Sequence, residues 1–174
     1  MLGLALGGWP VRAGEGAVSE PEDYRMDDYR SPVPATLKGA RVISTEEAEE
    51  LWRDKSIVFI DVFPRAPKPE NLPTNTVWRD PVHLTIDGAH WLPNVGYGRL
   101  SPDVEAYFKT RLERLSGGNL AAPMVFLCLK DCWMSWNAAK RAVAWGYTNT
   151  IWFPDGTDAW QEAGYELVHV EAAP

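Results

Sequence analysis

The chain has few cysteines and histidines and no long apolar run. Of its 174 residues, two are cysteines and three are histidines. The histidines, His83, His90 and His169, are scattered without metal-ligand spacing, so we predict no metal site and expect them at surface or satisfied core positions. No segment approaches the ~20 consecutive apolar residues of a membrane helix, which argues against a membrane span. No phosphate-binding loop, catalytic triad or carboxylate pair stands out, so the common hydrolase and nucleotide-binding chemistries are not indicated.

Basic residues are also in short supply. The sequence has 17 Lys and Arg against 24 Asp and Glu, a net charge of −7. A surplus of negative charge argues against nucleic acid or an anionic membrane as the main partner. The length fits one domain that can bury a sizeable core, and the 45% hydrophobic content is ordinary for a globular protein.

The first 39 residues differ in composition from the rest. Residues 1–13 contain a short apolar piece with no preceding basic residue, followed by small residues at the two positions that a signal peptidase reads. They are interpreted as a residual secretory signal or, equally, as a disordered tail. Residues 14–39 form an acidic, Tyr- and Pro-rich extension that is expected to lie on the domain surface through its tyrosines or to be partly disordered. Residues 40–174 form the predicted domain.

Within this domain, apolar runs alternate with amphipathic segments. Residues 57–62 and 124–127 are continuous apolar runs typical of central parallel strands, and helices are predicted over 101–115 and 135–145. Such alternation indicates an α/β fold with a parallel sheet. Residues 64–81 contain five prolines and are predicted to form a long irregular loop, a candidate lid or docking surface.

Both cysteines lie in one short stretch between a predicted strand and a predicted helix. Cys128 follows the apolar run 124–127, and Cys132 stands four residues later, before an alanine-rich segment. A helix N-terminus carries free N–H groups and a partial positive charge, so it favours a thiolate. The spacing therefore predicts sulfur chemistry at Cys128 and Cys132, with Asp61 at the end of another strand in a supporting role. The residues expected to contact a substrate around the cysteines are Leu129, Lys130, Asp131, Trp133, Met134 and Ser135.

Five segments in this order resemble the rhodanese-like family over about residues 40–170. They are 59–62, 86–93, 128–141, 147–160 and 163–165. The resemblance implies an α/β fold with a rhodanese-like parallel sheet flanked by helices, preceded here by an N-terminal extension. It also implies that Cys128 matches the family's catalytic cysteine, whose sulfur is cradled by backbone N–H groups of the following loop.

The stretch from Cys128 to Arg141 further resembles a bacterial subgroup named for a cysteine-pair-tryptophan motif and associated with pyrroloquinoline quinone-dependent catabolism. This resemblance implies a periplasmic location and a possible quinoprotein dehydrogenase or cytochrome c system protein as partner. It implies a small sulfur or thiol substrate and no cofactor bound by the chain itself. Unlike typical sulfurtransferases, the loop holds only Lys130, offset by Asp131, and no arginine, which disfavours thiosulfate as the sulfur donor.

The second cysteine sets the expected function. A thiol within reach of a persulfide or mixed disulfide attacks it, so we predict thiol–disulfide or sulfur-transfer chemistry with Cys128 as nucleophile and Cys132 as resolving thiol. Three alternatives stay open at this point. The cysteines could form a permanent structural disulfide, the chain could be an inactive rhodanese-fold binding module that uses the 64–81 loop, or it could be a thiosulfate sulfurtransferase.

Overall fold

A computed structural model of the chain describes residues 18–79 and 81–174. The signal-like segment 1–13 lies outside the described residues, so its interpretation stays a prediction. The strands and helices of the described part, in chain order, are β1 (Arg41–Val42), α1 (Thr45–Arg53), β2 (Val58–Asp61), β3 (His83–Ile86), β4 (His90–Trp91), α2 (Pro102–Ser116), β5 (Met124–Leu127), α3 (Trp133–Ala144), β6 (Thr150–Phe153), α4 (Gly156–Glu162) and β7 (Leu167–Val170).

Five of the strands form one parallel sheet. Their order is β1-β6-β5-β2-β4, and each neighbouring pair is parallel. Every residue of β5 and β6 is buried, which explains why these strands read as continuous apolar runs. The predicted α/β fold, a parallel sheet flanked by helices, is confirmed. The strands β3 and β7 form a separate antiparallel pair that the sequence analysis did not predict.

The helices cover both faces of this sheet. On one face, α2 and α3 pack through residues such as Phe108 and Trp136 in a cluster that also contains Cys128. On the other face, α1 and α4 pack through Ala48 and Trp160. Alternate residues of each strand therefore point to opposite cores, and the cysteine site belongs to the α2–α3 side.

Local sequence signals explain where α1 and α2 begin. Ser44 caps α1 in a capping box with Glu47, and α2 begins after the Ser101 cap with Pro102 in its first turn. The start of α3 was predicted at residue 135, but the helix begins at Trp133, with Cys132 as its N-cap. The reason is tertiary, because the backbone N–H of Trp133 donates to the carbonyl of Tyr29, 2.8 Å away, from the distant N-terminal extension.

Residues 18–39, called the N-terminal strap here, lie against α3. The buried side chain of Asn137 accepts a hydrogen bond from the backbone N–H of Arg25 and donates one to its carbonyl, both at 2.9 Å. Lys140 Nζ donates to the carbonyl of Pro21 at 3.1 Å, and Trp136 Nε1 to that of Thr36 at 3.2 Å. The strap is thus bound along the length of the helix that follows the cysteines.

The predicted loop over residues 64–81 is irregular, and its described residues form neither helix nor strand. It leads from the end of β2 to β3. In the part of the chain that the structure describes, no helix combines the length and the apolar character needed to cross a membrane.

Candidate functional site: a buried cysteine pair

The two cysteines lie next to each other at the carboxyl edge of the parallel sheet. Cys128 directly follows β5, the middle strand, and Cys132 stands at the N-terminus of α3. Their Sγ atoms are 2.7 Å apart, and both residues are free thiols. The sulfur–sulfur bond of a disulfide is about 2.05 Å long. A small movement is therefore enough to join the pair.

The surroundings of Cys128 disfavour a thiolate. Burial raises the pKa of the Cys128 thiol well above its ordinary value, because the side chain is only 1% exposed and an ionised sulfur there loses its hydration. The hydrogen bond with Cys132, the charge on Cys132 and the nearby carboxylate of Asp61 raise this pKa further. Of the two thiols, Cys128 is therefore the harder to ionise.

The surroundings of Cys132 have the opposite effect. The hydrogen bond from the Cys128 thiol lowers the pKa of Cys132, more strongly than its burial raises it. Backbone N–H groups of Met134 and Leu129 and the positive charge of Arg30 lower the pKa further, although no N–H completes a capping hydrogen bond to the sulfur. The electrostatics thus favour the thiolate at Cys132 rather than at Cys128, where the sequence analysis expected it. The physical reason is position, since Cys132 lies at the helix N-terminus and Cys128 lies deeper, near Asp61.

The loop between the cysteines is fixed from the side of α4. The carbonyl of Cys128 accepts hydrogen bonds from the backbone N–H of Thr157 at 2.9 Å and from its hydroxyl at 3.4 Å. Gly156 lies directly against the same carbonyl group. Asp131 has a φ of 54°, a left-handed conformation that turns the chain toward α3. Tertiary contacts therefore hold the end of β5 in one conformation.

Ser135 fixes the other cysteine. Its hydroxyl donates to the carbonyl of Cys132 at 3.1 Å and accepts a hydrogen bond from Nε1 of Trp152 at 3.0 Å. Ser135 is completely buried and supports the site through these two hydrogen bonds. Its expected contact with a substrate stays a prediction.

The N-terminal strap covers the cysteine pair. Arg30 forms an isolated antiparallel bridge with Cys132, and Ser31 Oγ accepts a hydrogen bond from Trp133 Nε1 at 3.1 Å. Arg30 also forms an ion pair with Asp158, at 3.0 Å. As a result, Cys132 is only 5% exposed. These contacts could not be predicted from the sequence, because the strap has no periodic pattern that would signal a packed element.

Arg30 brings to the site the arginine that the loop itself lacks. A cavity of about 330 Å³ beside the loop is lined by Arg30 and Lys130, but also by three acidic residues. The acidic residues are Asp131, Asp158 and Glu162. Negative groups thus outnumber positive ones around this cavity, which disfavours a dianion such as thiosulfate.

Asp61 is fully buried at the end of β2, the strand next to β5. Its Oδ1 accepts a hydrogen bond from the backbone N–H of Phe63 at 2.8 Å, the kind of structural contact predicted for it. Its Oδ2 lies 2.8 Å from Nε2 of His83, a buried partner that the sequence analysis did not foresee. Asp61 also acts on the cysteine pair through its charge, which raises the pKa of Cys128.

The other predicted contact residues take different positions. Lys130 is exposed, and Leu129 and Asp131 are half-buried. Trp133 and Met134 are buried, and Trp133 stacks edge-to-face on Trp136 with a centroid distance of 5.3 Å. Among residues 18–79 and 81–174, no three metal-ligating side chains cluster.

Cys128 thus ends a central strand of a parallel sheet and opens a loop before a helix, the arrangement expected from the resemblance to the rhodanese-like family. The structure is similar to a polysulfide-sulfur transferase homodimer from Wolinella succinogenes, with 18% identity, a TM-score of 0.46 and coverage of 75% of this chain and 79% of that one. It is also similar to an uncharacterized protein from Saccharomyces cerevisiae, with 21% identity, a TM-score of 0.42 and coverage of 72% and 93%. The sequence matches no protein-family model and no curated protein.

Proposed function

We propose that the protein carries out thiol–disulfide exchange or sulfur transfer at the Cys128–Cys132 pair. One observation carries this proposal: two thiols lie 2.7 Å apart at the end of the central strand, and their pKa values are shifted in opposite directions. A pair of this kind contains a ready nucleophile and a neutral neighbour that can resolve the product.

The exchange proceeds in two displacements. The Cys132 thiolate attacks one sulfur of a disulfide substrate and forms a mixed disulfide with it, while the substrate's sulfur–sulfur bond breaks and its other sulfur leaves as a thiolate. Cys128 then transfers its proton to that thiolate and attacks Sγ of Cys132, which expels the substrate sulfur held in the mixed disulfide. The substrate gains two electrons, and the protein ends with a Cys128–Cys132 disulfide. If the donor is instead a persulfide, Cys132 accepts the outer sulfur, and attack by Cys128 releases it as hydrosulfide.

A substrate must also be able to reach the two sulfur atoms. Both sulfurs are buried, and Arg30 and Ser31 of the strap lie over the loop. Exchange with a substrate therefore requires the strap to move away. The same burial favours one alternative, a cysteine pair that serves only as a permanent structural disulfide.

Single cysteine variants test the proposal. With glutathione disulfide as substrate, Cys128→Ser removes the resolving thiol, so we expect a stable mixed disulfide on Cys132, visible as an added mass of one glutathione. Cys132→Ser is the matched control and is expected to form little adduct, because the remaining thiol has a raised pKa. If neither variant forms an adduct while the wild-type pair stays oxidised in excess thiol, the pair is a structural bridge. Adduct on Cys128 alone would restore the roles expected from the sequence.

The resemblance to the cysteine-pair-tryptophan subgroup supports a cellular setting for this chemistry. We infer a periplasmic location and a role beside quinoprotein alcohol oxidation, with a quinoprotein dehydrogenase or a cytochrome c system protein as partner. A deletion strain tests the role by its growth on alcohols, with Cys128→Ser as the complementing variant. Normal growth with this variant and failed growth of the deletion would assign the role to binding rather than to exchange. Cell fractionation tests the location, and recovery of the protein in the cytoplasm would contradict it.

A further inference from the structure

Several of the bonds that hold the N-terminal strap are made to its main chain. The side-chain amide of Asn137 accepts a hydrogen bond from the N–H of Arg25 and donates one to its carbonyl, much as a neighbouring strand would. The backbone N–H of Trp133 donates to the carbonyl of Tyr29 at 2.8 Å. Since every residue except proline has the same main-chain groups, these contacts select an extended conformation rather than one particular sequence.

The part of the strap nearest the cysteines is weakly anchored. None of the residues 18–31 is fully buried, whereas Pro34 and Leu37 are buried, and Leu37 belongs to the core on the α2–α3 side. Segments with few buried apolar contacts open at a low cost in free energy while the rest of the protein stays folded. Residues 18–31, called the lid here, can therefore leave α3 while residues 34–37 keep the strap attached.

The lid places one residue directly opposite the nucleophile. Arg30 forms the antiparallel bridge with Cys132, and its guanidinium is paired with Asp158 at 3.0 Å. In such a bridge the Cβ atoms of the two residues lie about 4.5–5.5 Å apart. A disulfide needs a Cβ–Cβ distance of about 3.5–4.5 Å. A cysteine at the position of Arg30 would thus come within reach of the Cys132 sulfur after a small adjustment.

The surface under the lid, formed by α3 and residues 97–98, is called the lid groove here. The ring of Tyr29 packs edge-to-face on that of Tyr97, with a centroid distance of 5.5 Å. The Tyr29 hydroxyl accepts a hydrogen bond from the backbone N–H of Gly98 at 3.0 Å. Tyr29 directly precedes the residue opposite Cys132. The lid groove therefore suits an aromatic residue just before the residue that faces the nucleophile.

We propose that the lid groove binds an extended segment of a partner protein, with a cysteine opposite Cys132 and an aromatic residue directly before it. The lid competes with this segment for the same groove. This inference rests on the proposed function and specifies its substrate as a protein disulfide.

The exchange follows the two displacements given above. The Cys132 thiolate attacks the sulfur of the bound segment and forms a mixed disulfide, and the former disulfide partner of the segment leaves as a thiolate. Cys128 transfers its proton to that thiolate and attacks Sγ of Cys132, which expels the segment as a thiolate. The substrate gains two electrons, and the cysteine pair is left as a disulfide.

Two peptide disulfides test the main-chain contacts. Both have the sequence of residues 18–31 with cysteine in place of Arg30, and glutathione is joined to that cysteine. One of them also carries a methyl group on the backbone nitrogen that corresponds to Arg25. With the full-length protein, we expect the unmethylated peptide to release glutathione about tenfold faster, because methylation leaves the buried Asn137 oxygen without its donor. Both peptides need an open lid, so lid opening cancels from the ratio of the two rates.

Variants of the groove and of the lid should affect this ratio differently. Asn137→Ala should reduce it to less than about twofold, because neither peptide then has this partner. Asn149→Ala, at an exposed position before β6, is the matched control and should keep the ratio. Arg25→Pro removes the N–H from the lid itself, so it should speed both peptides and keep the ratio, and Arg25→Ala should speed them less. A ratio near one with the wild-type protein, or one that Asn137→Ala leaves unchanged, would overturn the proposal.

A binding assay separates this proposal from the proposed function. Its probe is the same peptide with serine in place of the cysteine and a fluorescent label, and its anisotropy is measured with Arg25→Pro, in which the tethered lid competes less. If no peptide disulfide reacts but this probe binds, and N-methylation at the residue 25 nitrogen weakens its binding about tenfold, the groove is confirmed and the exchange chemistry alone is refuted. The methylated probe also replaces Asn137→Ala if circular dichroism shows that this variant fails to fold. If the serine probe does not bind, the proposal is overturned, whatever the cysteines do.

Discussion

Gly156 provides the sharpest test of how the site is held. This residue follows β6, opens α4 and has a φ of +53°, a backbone conformation that favours glycine. A Cβ at this position would lie 2.7 Å from the carbonyl carbon of Cys128 and 3.0 Å from that of Leu129, with the Cys128 oxygen closer still. These obstacles are backbone atoms, so they cannot turn away as a flexible side chain would.

The expected loss in the free energy of unfolding of Gly156→Ala has two parts. The left-handed conformation costs about 1–2 kcal/mol for a residue with a Cβ. Forcing atoms into a packed site costs about another 1–3 kcal/mol. Gly117→Ala is the matched control, because Gly117 has a similar φ of +62° and nothing within 4 Å of its added Cβ. The control should therefore lose only the first part.

Urea unfolding, followed by tryptophan fluorescence, measures both variants. We expect Gly156→Ala to lower the free energy of unfolding by about 1–3 kcal/mol more than Gly117→Ala does. We also expect iodoacetamide to alkylate the cysteines faster in Gly156→Ala, because displacement of the Cys128 carbonyl loosens the loop. Equal losses of stability in the two variants would show that Gly156 does not hold the cysteine loop against α4.

Three further predictions concern reactivity at the same site. In the wild-type protein, mass spectrometry of each cysteine peptide should show that the initial alkylation rate of Cys132 levels off at a lower pH than that of Cys128, because the hydrogen bond from Cys128 lowers the pKa of Cys132 while burial raises the pKa of Cys128; identical profiles would contradict the opposite pKa shifts. Asn137→Ala removes both hydrogen bonds to the backbone of Arg25, so the strap should open more often and alkylation should rise about tenfold, and an unchanged rate would show that the strap does not limit access. Thiosulfate:cyanide sulfur transfer should be far slower than the roughly 10 per second of a typical enzyme, and turnover at that rate would refute the argument from the acidic surroundings of the loop.

Local sequence patterns were enough to predict the framework of the fold. The apolar runs that became β2 and β5, the helix start at Ser101 and the cysteine after β5 all depend on a few neighbouring residues, so they can be recognised without the folded structure. The β3–β7 pair escaped prediction because it joins residues 83–86 to 167–170, and strand pairing at that separation leaves no local signal. The start of α3 was missed for the same reason, since its first N–H is bound by the strap.

The candidate site also has some features that follow from sequence order and others that depend on the fold. The sequence by itself determined that Cys128 and Cys132 lie in one loop between a strand and a helix, because strand–loop–helix order is a local property. Which thiol ionises more readily depends on the fold, because the burial of Cys128, the Asp61 carboxylate and Arg30 involve other parts of the chain. Only the tertiary structure decided that the pair is covered, since the strap and α3 are joined by contacts across about a hundred residues of sequence. The pKa of a side chain and its exposure to solvent depend on all atoms within several ångströms. Neighbours in sequence are only a small part of those surroundings.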